Sequence, residues 1–153
     1  MKYVWIMDSI LGHIGIIVDD THLLNIFVGP VPFKAKIEET PLIKKVEKQL
    51  SEYFEGKRKK FDIPIKTLGT EFQETVWKEL INIPYGTTLS YKELAKKIKT
   101  DKYTRAVGNA NNKNPIPIII PCHRVIGSRG DLVGYALGLE MKEKLLDIEK
   151  KYV

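Results

Sequence analysis

Pro121-Cys122-His123-Arg124-Val125 holds the most chemical potential in this chain, because its single cysteine is followed directly by a histidine. Thiolate sulfur is a soft nucleophile, but a free thiol with a pKa of about 8.5 is only a few per cent ionised at pH 7. Histidine is the usual group for drawing off that proton. A lone cysteine is otherwise most often a small buried hydrophobe. Here a proline-punctuated apolar run, residues 114–120, leads into it, and a turn at Gly127-Ser128-Arg129-Gly130 follows. The expectation is a thiol fixed at the end of an extended, buried segment with one side open to react. Neighbouring side chains of an extended segment point apart, so Cys122 and His123 are not expected to bond directly. With no oxyanion motif in view, that weighs against a cysteine hydrolase.

Composition narrows the setting. The 153 residues suffice for one or two domains with a real core. One cysteine excludes an internal disulfide and any multi-cysteine metal site, and His13, His22 and His123 show no ligand spacing. No metal and no cofactor are expected. No apolar stretch approaches the roughly 18 residues of a membrane span, and Met1-Lys2-Tyr3-Val4-Trp5 lacks a signal-peptide layout. A soluble, cytoplasmic protein without a membrane partner is therefore expected. The formal charge is +6, unevenly placed: residues 86–130 carry nine Lys/Arg against two acids, while the remainder has 16 basic and 17 acidic side chains. A concentrated basic segment is what neutralising a polyanion would require. The shorter run at Lys57-Arg58-Lys59-Lys60 reads as a solvated turn.

The elements that must position these residues fall into two halves, giving an α+β fold with domains at 1–66 and 67–153. Short β-branched runs at 3–10, 13–18 and 22–28 predict an antiparallel meander. Thr40 and Pro41 open a helix over 41–54 that Gly56 stops, its apolar stripe facing the sheet. One more strand is expected over 61–65, with a linker over 66–69. The second half is mostly helical. Capping-box spacings at Thr70–Gln73 and Ser90–Glu93 open helices running to Ile83 and to Ile98. A break near 99–101 leads to a helix over 103–112, so that the pair suggests helix-turn-helix. In that helix Gly108 is compatible with tight helix packing or with a smooth surface lying against a nucleic-acid backbone. A last helix spans 139–150.

Taken together, Phe72-Gln73, Ile83-Pro84-Tyr85-Gly86, Ser90-Tyr91, Arg105-Ala106-Val107-Gly108, Asn114-Pro115, Pro121-Cys122-His123-Arg124-Val125 and Gly134-Tyr135 resemble the methylated-DNA–protein-cysteine methyltransferase family, also called O6-alkylguanine-DNA alkyltransferases. The resemblance covers roughly residues 68–150. It implies a ribonuclease-H-like N-terminal domain and a winged-helix-like C-terminal one. The implied partner is double-stranded DNA carrying O6-alkylguanine, bound by a monomer. The implied activity moves the alkyl group of O6-methylguanine, and of O4-methylthymine, from a flipped-out base to Cys122. His123 would be its base through a bound water, Glu149 the carboxylate supporting the imidazole, and Asn114 the anchor of the reactive turn. Tyr91 would donate to the departing guanine, and Lys142 would polarise O6. Tyr135, Ala136 and Val125 would line the base pocket. Arg105 would fill the gap left by the flipped base, with Thr104, Ala106 and Gly108 along the minor groove and Tyr91, Lys92 and Ser128 as further DNA contacts. The thioether product has no easy leaving path, and no second cysteine exists to resolve it, so one turnover per molecule is expected. Bulky Leu137 beside the pocket suggests slower reaction with benzyl than with methyl substituents. Two other readings keep the DNA and drop the chemistry: a lesion-recognition protein, and a winged-helix regulator with an inert thiol.

Overall fold

The structure, a computed structural model, describes residues 1–30, 34–132, 134–135 and 137–153. The chain divides into two compact units, Met1–Thr67 and Leu68–Val153.

In the first unit, β1 (Tyr3–Ser9), β2 (Gly12–Val18) and β3 (Leu23–Val28) form the antiparallel meander. Ser9 pairs with Gly12 across the first turn, where Gly12 has φ +96°. A two-residue strand that periodicity could not show, β4 (Lys36–Ile37), runs parallel to β1, giving the order β3-β2-β1-β4. Helix α1 (Pro41–Phe54) starts where expected: Thr40 Oγ1 accepts from the Ile43 amide at 3.2 Å, and proline occupies the first turn. Its fully buried Ile43, Val46, Leu50 and Tyr53 recur at helical spacing and pack toward β1 and β2. Each such side chain contributes about 1.5–3 kcal/mol relative to exposure.

The strand expected over 61–65 is not formed. Leu23 donates to Pro64 O at 2.8 Å and Lys66 donates to Leu23 O at 3.0 Å, leaving a single bridge between Leu23 and Ile65. Pro64 supplies no N–H and so interrupts a ladder. The basic run is tied down locally, Lys57 by Glu55 at 2.8 Å and Arg58 by Glu52 at 3.0 Å. That suits the solvated turn.

The second unit opens with α2 (Glu71–Ile81), whose Thr70–Gln73 capping box is present. It stops two residues short of the expected end, because Ile83 precedes a proline and is pushed from helical geometry. Then follow β5 (Leu89–Ser90), α3 (Tyr91–Ile98) with the Ser90–Glu93 capping box, a 3-10 turn at Asp101–Tyr103, and α4 (Thr104–Asn112). Both α2 and α3 pack on α4, as a helix-turn-helix pair with a supporting helix requires. Trp77 of α2 pins α4 by donating its indole N–H to Ala110 O at 2.9 Å in the core. Gly69 lies so close to that indole that an added Cβ would come within 2.6 Å of it. β6 (Val125–Ile126) pairs in parallel with β5, and α5 (Leu139–Tyr152) closes the unit.

Candidate active site

The loop between α4 and β6 presents the cysteine. Asn114 holds it from inside, donating through Nδ2 to Ile120 O at 2.8 Å and accepting the Ile116 amide on Oδ1 at 2.9 Å. Ile120 in turn donates to Ile116 O at 2.9 Å. This fold-back forces Ile118 to φ +76°, a left-handed conformation that a β-branched residue adopts only under constraint. Cys122 thus begins a 3-10 turn, Cys122–Arg124, instead of ending an extended segment. Its thiol is fully covered, so the expected open side is not present. Burial pushes the thiol up to about 11, against the opposing pull of hydrogen bonds from Asn114 and Tyr135 and of the Lys142 charge.

The turn sends His123 the other way, into the core, where Nε2 meets Glu149 Oε2 at 2.5 Å. Glu149 lies on the inner face of α5, one turn beyond Leu145. Burial alone would raise its carboxyl. The paired His123 and Arg124 outweigh that and hold it at about 2. Burial lowers His123, with Glu149 pulling the other way. A carboxylate can only accept, so the Nε2–H form is the one that fits, and Nδ1 carries the basic lone pair.

Arg124 completes this cluster. Nε donates to Glu149 Oε1 at 2.8 Å, Nη2 to Oε2 at 3.1 Å, and Nη1 to Ile83 O at 2.7 Å. The Gly86 amide adds a further donor to Oε1 at 3.1 Å. Such a two-pronged contact fixes the carboxylate plane as well as its position. The buried Arg124 belongs to the core, so one of the nine basic residues of 86–130 adds nothing to the surface.

On the thiol side, Tyr91 Oη and Lys142 Nζ both donate to Gly134 O, each at 3.1 Å. Burial lowers Lys142 to about 8. It also raises the Tyr91 phenol, which a hydrogen bond from Asn111 opposes. Tyr135 and Val125 are buried beside Cys122, while Ala136 lies outside the described residues. Cys122, Asn114, Tyr135, Lys142 and Tyr91 therefore gather about the sulfur, and His123 and Glu149 lie behind it.

The residues expected on DNA occupy the surface. Arg105, Lys92 and Ser128 are exposed, and Thr104, Ala106 and Gly108 are half-buried along α4. Thr104 Oγ1 donates to Asp101 O at 2.5 Å, fixing the start of that helix. A Cβ on Gly108 would meet the Tyr91 ring at 3.8 Å, an ordinary contact. Packing within the chain does not demand glycine there.

Family models describe both halves of the sequence. Residues 71–151 match the DNA-binding domain of 6-O-methylguanine DNA methyltransferase, and residues 2–67 match its ribonuclease-like domain. The chain belongs to the methylated-DNA–protein-cysteine methyltransferase family. A curated member from Methanosarcina mazei is 54% identical over 114 residues, 74% of this chain and 72% of that protein. The constitutive member from Bacillus subtilis is 39% identical over 159 residues, covering 98% of this chain and 96% of that one. Among solved structures, the Mycobacterium tuberculosis O6-methylguanine methyltransferase matches 100% of this chain and 95% of its own, with a TM-score of 0.92 at 37% identity. The same organism's OGT in complex with DNA matches 99% and 94%, with a TM-score of 0.91 at 39% identity. The ribonuclease-like match also covers the N-terminal half, where motifs offered no resemblance.

Sequence reasoning missed three parts of the site: Arg124 as the clamp on Glu149, the Gly86 amide, and the Gly134 carbonyl shared by Tyr91 and Lys142. Two are backbone groups and leave no trace in side-chain pattern. Arg124 sat within the motif, but its burial depends on α5 bringing a carboxylate to it.

Proposed function

We propose that this chain repairs duplex DNA by moving the methyl group of O6-methylguanine, and of O4-methylthymine, irreversibly onto Cys122 Sγ. The observation that carries this is the buried thiol gathered with Lys142, Asn114 and Tyr135 and backed by the His123–Glu149 pair. A thiol at about 11 yields little thiolate at rest, so its proton must leave as the reaction proceeds. His123 Nδ1 takes it through a water, and Glu149, clamped by Arg124, stabilises the imidazolium that forms. Sulfur bonds to the methyl carbon as the bond from carbon to O6 breaks, and the electron pair passes into the guanine ring. Tyr91 and Lys142 offset the charge arriving there, and the departing base regains the proton equivalent that the thiol gave up. Donors aimed at developing charge in a dry site are worth far more than in water.

The target atom lies within the duplex, so the base is flipped out at a cost of a few kcal/mol, less for a damaged base. Arg105 on exposed α4 fills the vacancy, while Thr104, Ala106, Gly108, Lys92 and Ser128 meet the DNA. The protein works as a cytoplasmic monomer on duplex DNA, needs no metal or cofactor, and each copy reacts once.

Mass spectrometry after mixing with a duplex containing one O6-methylguanine tests this. The expected result is a single methyl on Cys122, guanine regenerated one-for-one, and no transfer to Cys122→Ala. Tight lesion binding with no methyl on the protein would replace it with the recognition-only reading.

A further inference from the structure

The inner face of α4 carries Val107, Ala110 and Asn111. Two are apolar, but Asn111 buries a carboxamide completely. Its Nδ2 donates to Cys122 O at 3.3 Å. That contact fixes the amide's orientation, since a carbonyl can only accept. Asn111 also bonds the Tyr91 phenol. Its Oδ1 is covered by its surroundings and has no hydrogen-bond partner among the described residues. A buried acceptor left unmet destabilises a fold, and an apolar side chain would avoid that. An unmet acceptor on the same carboxamide that touches the carbonyl of the reacting residue and the phenol points to a donor that arrives with the ligand.

We propose that Asn111 is a specificity residue, its Oδ1 accepting a hydrogen bond from the exocyclic 2-amino group of the alkylated base. This rests on the reading that Cys122 takes its methyl group from guanine O6. Alkylation at O6 removes the proton from guanine N1. In the nucleotide, where N9 is bonded to the sugar, the ring then presents acceptors at N1, N3 and N7, and the 2-amino group is its one N–H donor. A methylated base without that amine leaves Oδ1 unmet, and O4-methylthymine is such a base. Asn111 therefore ranks O6-methylguanine above O4-methylthymine, although the chemistry at sulfur is the same. It also ties α4 to the carbonyl of the reacting residue.

The test compares methyl transfer to Cys122 from two free bases, O6-methylguanine and 6-methoxypurine, which lacks only the amine. Free bases remove the cost of extrusion from the comparison. Each rate is divided by that base's rate with a small thiolate in solution. The wild-type chain should prefer the amine-bearing base by about tenfold, the scale of one good hydrogen bond. Asn111→Met, similar in length and without a hydrogen-bonding amide, should bring that ratio close to one. A role confined to holding the Cys122 carbonyl would slow both bases alike and leave the ratio intact, which overturns the proposal. If Asn111→Met does not fold, the wild-type comparison decides alone: equal corrected rates overturn it. No methyl on Cys122 from either base, or from a lesion duplex, removes the underlying reading and this proposal with it.

Discussion

At the scale of single residues, the centre of the site is a charge balance that pH can probe. Glu149 is held at about 2 in the folded chain, against an ordinary 4.5, because His123 and Arg124 favour its ionised form more than burial opposes it. A carboxyl depressed by folding adds stability that is fully present above the unfolded value. That stability is lost as pH falls from 4.5 toward about 2. Glu149→Gln should cost about 3–5 kcal/mol at neutral pH, since it strands a buried guanidinium. It should also flatten the acid limb: thermal melts from pH 6 to 2 should show a steeper loss for the wild type than for the variant. Parallel limbs would mean that the pair is not what acid breaks. The cysteine and its histidine were legible from residue types in one stretch, whereas Asn114 took its anchoring role from the family resemblance. The remote Glu149 and Lys142 entered only through family resemblance, because nothing in spacing links α5 to the thiol. Arg124 and Asn111 were illegible as buried polar groups. Whether a polar side chain is covered is decided by elements distant in sequence.

At the scale of elements, capping chemistry and apolar periodicity located α1, α2 and α3 closely, since both are local signals. The three two-residue strands escaped notice because so short a pairing has no period of its own. Pro64 undid the expected fourth strand of the first half by removing a donor. Glycines separate the elements' roles. Gly86 has φ +77°, and a Cβ there would fall 2.4 Å from Val153 Cγ2, displacing the end of α5 and the amide that meets Glu149. Gly86→Ala should therefore lower stability by about 1–3 kcal/mol, read from denaturant midpoints. Gly108 is the contrasting case. The Tyr91 ring leaves room for a methyl group, so Gly108→Ala should raise stability by about 0.5–1 kcal/mol through helix propensity. If α4 lies against DNA, the same change should weaken duplex affinity measured by fluorescence anisotropy. A more stable variant with unchanged affinity would assign that surface elsewhere.

At the scale of the whole molecule, charge is segregated: the basic excess lies in residues 86–130, the segment that holds α3 and α4, while the first half pairs much of its charge locally. Binding to duplex should therefore weaken steeply as salt rises, with little dependence on sequence, in titrations between about 50 and 200 mM. A flat salt response would move recognition away from phosphates. The burial of Cys122 has a consequence for the population of molecules. Oxidants and stray electrophiles attack thiolate that they can reach. This sulfur is fully covered and stays protonated to about 11. In the native chain, a thiol reagent at pH 7 should label it far more slowly than in urea. Under the single-turnover transfer proposed above, an idle copy is shielded from such reagents and is consumed only by its proper target. The fraction of copies that still titrate after denaturation then works as a dosimeter, a running record of the alkylation damage a cell has met.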